Sequence, residues 1–219
     1  SNIVESVVNS TGVLEAVSVE KKNGKIVLTS GSEGITSIEG TVDVSGKNIR
    51  ETGGSVEIFG KEVKVANAKI DATGSAGGGN VYIGGGWQGA KVGDHKASKT
   101  VTVSSDTAID ASAISKGDGG EVVIWSDVLD SSSVTRVHGV IKAEGGEQSG
   151  DGGKVETSGN ALYTQNIQVS TRAENGGYGL WLLDPTTITI GNGTDSHTLA
   201  SGEYTYEGGD ANGFIDGPT

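Results

Sequence analysis

Few side chains in this 219-residue sequence have the types and spacing that chemistry requires. Three aspartates, Asp43, Asp71 and Asp110, hold one position of a recurring apolar–polar–small segment. Stacked one above another, such a ladder offers carboxylate oxygens to Ca²⁺, a hard cation that takes roughly six to eight oxygen ligands. At the next two copies, however, Lys142 and Ser170 stand in the same place. The Gly-Gly-x-Gly-x-Asp nonapeptide of Ca²⁺-binding repeats is also absent. Outward, solvated side chains are the simpler account of the aspartates, and neither a resident metal nor a cofactor is expected.

Arg136 and His138 form a basic pair at strand spacing, two residues apart and therefore on one face of a strand. With clustered acids and Ca²⁺, such a pair would suit a polysaccharide lyase. No cluster of acids accompanies it in the sequence, so packing against a neighbour is the expected role and the catalytic set is expected to be empty. His95 and His197 lie apart with no metal-ligand spacing. No Gly-x-Ser-x-Gly elbow appears, and glycine-rich stretches such as Gly77-Gly78-Gly79-Asn80 precede strands rather than the helix N-termini that cradle phosphates.

The remaining candidate is a loop. Residues 84–97 carry Trp87, Lys91, His95 and Lys96 in an otherwise acidic chain. An aromatic ring with cationic and polar neighbours suits stacking on a sugar, and binding residues concentrate on loops held by a rigid scaffold. The alternative is that Trp87 folds back as a cover over the scaffold.

What positions these residues is a repeat. Two glycines, any residue, then alternating apolar positions recur at Gly53-Gly54-Ser55-Val56-Glu57-Ile58, Gly78-Gly79-Asn80-Val81-Tyr82-Ile83, Gly119-Gly120-Glu121-Val122-Val123-Ile124 and Gly152-Gly153-Lys154-Val155-Glu156-Thr157. Looser copies begin at Gly24 and Gly179. Val56 to Val81 and Val155 to Leu180 are each 25 residues; Val56 to Ile70 and Val155 to Val169 are each 14. A basal coil of 25 with insertions explains the other intervals, the longest being 41 from Val81 to Val122. The segments alternate with period 2, are short, and end in Gly, Asn, Asp or Ser, which reads as strand and turn. Such strands bury a face only by stacking, each in parallel register with its equivalent one coil above. Inward positions are expected at Val56, Ile58, Val81, Ile83, Val122, Ile124, Val155, Leu180 and Leu182. Six copies plus a partial coil over Val13 to Val19 predict six or seven coils. An antiparallel sandwich also has short strands, but it needs no 25-residue self-similarity.

Composition agrees. Glycine supplies 38 residues, roughly 17 % against a usual 7 % or so. Cysteine is absent, which removes disulfides, zinc–thiolate sites and thiol catalysis. Net charge is −12 with pI near 4.6, and this argues against nucleic acid as a partner, since phosphate binding needs clustered Lys and Arg. No apolar run approaches the ~18 residues of a membrane-spanning helix, so no membrane insertion is expected.

Longer stretches point further. Gly119-Gly120-Glu121-Val122-Val123-Ile124-Trp125-Ser126 leads into Thr135-Arg136-Val137-His138-Gly139-Val140-Ile141-Lys142-Ala143, then Gly152-Gly153-Lys154-Val155-Glu156-Thr157-Ser158-Gly159, then Leu182-Leu183-Asp184-Pro185-Thr186-Thr187-Ile188-Thr189-Ile190. This succession resembles the filamentous-haemagglutinin-like adhesins of bacterial two-partner (type V) secretion. It is clear over residues 117–190 and weaker back to about residue 25. The resemblance implies a right-handed parallel β-helix, export through a dedicated outer-membrane pore, and a secreted or surface-exposed fibre that attaches to host cells, matrix or polysaccharide. A purely structural stalk displaying a toxin or adhesive tip elsewhere in the parent chain is the alternative. Residues 1–190 are expected to form the β-helix as a fragment of a longer passenger, and residues 191–219, which lack the coil pattern, a linker or the start of a further module.

Overall fold

The computed structural model describes residues 7–15, 24–190, 197–200 and 204–207. It is an all-β parallel solenoid whose strands stack in three columns. The first column contains β2 (Lys25–Thr29), β4 (Ser55–Phe59), β6 (Asn80–Ile83), β9 (Glu121–Trp125), the start of β12 (Lys154–Tyr163) and β14 (Leu180–Ile190). The long strands β1 (Val7–Glu15), β3 (Ile35–Asp43) and β5 (Glu62–Asp71) turn a corner and serve both other columns. Above them the second column continues through β7 (Thr100–Val103), β10 (Val134–Val137) and the end of β12. The third continues through β8 (Ala108–Asp110), β11 (Gly139–Lys142) and β13 (Ile167–Ser170). Two further strands, β15 (His197–Ala200) and β16 (Tyr204–Glu207), pair antiparallel with β14. The expected linker or further module over 191–219 otherwise lies outside the described residues, as does the partial coil beyond Glu15.

The six strands of the first column bound about five turns, fewer than the six or seven coils expected. Counting motif copies counts rungs, and the turns lie between rungs. The registers Ile26–Val56–Val81–Val122–Val155 match the expected spacings. The last rung does not: Val155 pairs with Trp181, 26 residues on, while Leu180 sits beside Lys154 on the outward phase and is half-buried. Leu182 pairs with Glu156, also outward, though it is buried. Trp181 and Leu183 enter the core instead, and the Trp181 indole donates to Thr157 Oγ1 at 3.1 Å, so its N–H is satisfied inside. The slip arises because Gly179 stacks where the second glycine of each pair does, leaving Tyr178 exposed in the place of the first.

The paired glycines answer to space. A Cβ at Gly54, Gly79, Gly120, Gly153 or Gly179 would lie within 2.2 Å of a carbonyl oxygen of the equivalent glycine one rung before. Each coil therefore passes a corner at which only hydrogen fits, and the apolar columns can approach to sheet spacing there.

The aspartate ladder also has a local cause. Asp43, Asp71 and Asp110 each accept, through Oδ1, the backbone N–H two residues on, from Ser45 (2.8 Å), Thr73 (3.1 Å) and Ser112 (3.0 Å). These are Asx turns, which end a strand by giving the backbone a side-chain partner.

Candidate functional site

Residues 84–97 leave the first column after Ile83 and return at Ser98, whose N–H donates to Gly84 O at 2.8 Å and whose hydroxyl donates to Gly60 O at 2.7 Å. Between those points the chain lies across the outer face of the first column. His95 stacks on Phe59 of β4, centroids 4.6 Å apart and planes at 16°. Its Nε2 is 3.9 Å from Glu57 Oε2, an ion pair only when the imidazole is protonated, while Lys25 holds the other oxygen of Glu57 at 2.7 Å. Gly85 abuts the Trp125 ring so closely that a Cβ would be 2.4 Å from Cδ1. The Trp87 ring lies 5.4 Å from Lys154 Nζ, a cation–π distance.

The centre of the loop is a short 3₁₀ turn over Trp87–Gly89, in which Gln88 adopts φ 48°, ψ 39°. That left-handed conformation costs a non-glycine residue about 1 kcal/mol. In return the Gln88 N–H donates to Glu156 Oε2 at 2.7 Å. Glu156 has no exposed surface, and its other oxygen accepts from the Ser158 hydroxyl at 2.9 Å. Burial pushes its carboxyl up to about 7 from an ordinary 4.5. The Gln88 and Ser158 bonds pull the other way, and the neighbouring carboxylates of Asp184 and Glu121 add to the rise. A folded-state value above the unfolded one means that the stability from this group is complete below about pH 4.5 and is lost as the pH climbs through 7. Glu156→Gln is therefore expected to raise stability at pH 8 by up to about 3 kcal/mol and at pH 5 by less than about 1 kcal/mol. Urea unfolding at the two pH values measures this; a variant less stable than the parent at pH 8 would contradict the burial argument.

Of the residues singled out from the sequence, Trp87 and His95 are half-buried against the sheet, and Lys91 and Lys96 are exposed. His95 and Lys96 come together, with Asp94, Phe59 and Thr29, along a shallow cleft of about 220 Å³. Trp87 and Lys91 are not part of that cleft. Sequence reading missed Glu57, Phe59, Trp125 and Glu156, all on the outward phase of their strands. The available signal was Phe59, Val123 and Trp125, apolar residues out of phase with the core and yet 2 %, 0 % and 4 % exposed. Such residues imply a cover.

The other candidates are engaged in packing. Arg136 Cζ lies 5.1 Å from the Tyr163 ring centroid, and His138 Nδ1 donates to Gln165 O at 2.6 Å. His197 is described as part of β15 only in its backbone pairing. Among the described residues no group of three or more His, Asp or Glu side chains converges as metal ligands.

No protein-family model matches the sequence, and no curated protein matches it. Among solved structures, the crystal structure of the HMW1 secretion domain from Haemophilus influenzae is similar, with 30% sequence identity and a TM-score of 0.62. The likeness covers 81% of this chain and 44% of that one, so the chain spans less than half of that structure. The chain is thus a β-solenoid similar, in sequence as well as in fold, to a bacterial secretion domain.

Proposed function

We propose that this chain is a solenoid segment of a secreted, surface-exposed adhesin of the filamentous-haemagglutinin-like type, exported through an outer-membrane pore. It attaches to a host-cell, matrix or polysaccharide ligand and catalyses nothing. The observation that carries this reading is the likeness to a secretion domain over 81% of the chain, joined to the order of motifs from Gly119 to Ile190. The binding role is supported by Trp87, Lys91, His95 and Lys96, which ride on one loop above a rigid sheet. The non-enzymatic role is supported by the positions of Arg136 and His138, each already in contact with a neighbour. The net charge of −12 favours ligands other than nucleic acid.

A second reading, a stalk that only displays another part of the parent protein, is favoured by the way His95 and Gln88 hold the loop against the sheet. The combined variant Trp87→Ala, Lys91→Ala, Lys96→Ala separates the two, because it spares His95 and Gln88. An adhesive loop loses about tenfold or more in binding to cells or to a glycan array, as removal of interface anchors does, with the melting temperature within a few degrees of the parent. Unchanged binding would refute the contact role of the loop and leave the stalk.

A further inference from the structure

The loop over the first column has an attachment that its length does not require. Among the described residues, no backbone hydrogen bond joins residues 85–97 to a strand; the backbone bonds within the segment, Gly89 to Gly86, Ala90 to Trp87 and His95 to Val92, are internal. What fixes it to the sheet is contact with side chains: His95 on Phe59 and beside Glu57, the Gln88 N–H on Glu156, the Trp87 ring near Lys154 Nζ and Gly85 against the Trp125 ring. His95 covers Phe59 and Gly85 covers Trp125, and on the same outward phase Val123, the cross-strand partner of Glu156, is buried as well.

We infer that residues 84–97 are a lid whose Gln88 end is latched by protonated Glu156, so that the lid lies closed in mildly acidic medium and lifts from Val123 and Trp125 as the proton is lost. The geometry supplies the coupling. Glu156 stands between Val123 of β9 and Leu182 of β14, with two acids on the diagonals, Glu121 opposite Lys154 and Asp184 opposite Ser158, and with Lys154 and Ser158 flanking it on β12 and the uncharged Gln88 above it. Among the described residues no cation forms an ion pair with it. An ionised carboxylate in that position keeps one backbone donor and one hydroxyl but lies out of water between two aliphatic neighbours, with carboxylates on the diagonals, which is costly. The protonated acid still accepts from the Gln88 N–H through its carbonyl oxygen and donates its own proton to the Ser158 hydroxyl, so both contacts persist without the charge. Lifting the lid admits water to the carboxylate, so closure and proton binding favour each other. The rise of the Glu156 carboxyl to about 7 places the change near neutral pH. By linkage between that value and the ordinary 4.5, the open-to-closed ratio should increase on the order of 50-fold from pH 5 to pH 8.

The absence of cysteine provides the test. Val123→Cys places a thiol under the lid, and Lys142→Cys places one on an exposed position as the reference for thiolate formation at each pH. The ratio of their alkylation rates is expected to rise tens-fold from pH 5 to pH 8, and to stay flat when Glu156→Gln is added. A ratio independent of pH, or one that rises equally with Gln at 156, overturns the latch. Should Val123→Cys disturb the fold by circular dichroism, hydrogen exchange of the Gln88 amide in the cysteine-free protein decides. Its protection factor should fall between pH 5 and pH 8 in the parent and hold in Glu156→Gln; equal behaviour of the two refutes the inference.

Discussion

Gly120→Ala is expected to destabilise the solenoid by about 3 kcal/mol or more. An added Cβ would sit 1.8 Å from the carbonyl oxygen of Gly79 and 2.9 Å from that of Ala111. Both obstacles are backbone, and both are held in place. The Glu121 N–H donates to Gly79 O at 3.0 Å, and the Gly120 N–H donates to Ala111 O at 2.8 Å. Relief requires the corner to open, which breaks those bonds and separates β9 from β6 where Val122 stacks on Val81. Gly31→Ala is the informative control. Gly31 has φ +76° with nothing within 4 Å of its would-be Cβ, so its cost is conformational alone, about 1 kcal/mol. Urea unfolding of the two variants tests the distinction. Equal losses would mean that glycine is needed at these corners for backbone conformation and that the close approach can relax.

Val122→Asp should be comparably severe, on the order of 3 kcal/mol or more. Val122 has no exposed surface and stands between Val81 and Val155 in the first inward column. A carboxylate there meets only aliphatic carbon, with no donor aimed at it. Because burial favours the protonated acid, its destabilisation should grow as pH rises from 4 toward 8. Lys142→Ala, on an exposed outward position, should change stability by about 0.5 kcal/mol or less. Thermal melts of both against the parent measure the difference. A parent-like melt for Val122→Asp would require position 122 to face outward.

The two substitutions probe what was most legible from residues alone. Paired glycines followed by alternating Val and Ile announce both the strand and the corner before it, and identical spacing from one copy to the next sets the register. That works because strand alternation and stacking are local rules repeated at every coil: Val56, Val81, Val122 and Val155 must align if any two of them do. The rule failed at the last rung, where Tyr178 separates the pair Gly176-Gly177 from Gly179. Choosing which glycine makes the corner there needs the contact of Gly179 with Gly153, a fact of packing.

The outer face is different in kind. Alternation assigned Glu57, Val123, Trp125 and Glu156 to solvent, because the rule knows only the phase of a strand. Whether solvent is actually there depends on where a 14-residue insertion of flexible glycines comes to rest, and no periodicity governs such a segment. The sequence by itself determined the parallel solenoid, its first-column register up to Val155 and the Asp-ended turns. Only the tertiary structure decided that the loop carrying Trp87, Lys91, His95 and Lys96 lies down across the sheet, bringing Gln88 to Glu156 and His95 to Phe59. Those partners are 68 and 36 residues apart in the chain, and the burial that shifts a carboxyl to near neutrality exists only once both have met.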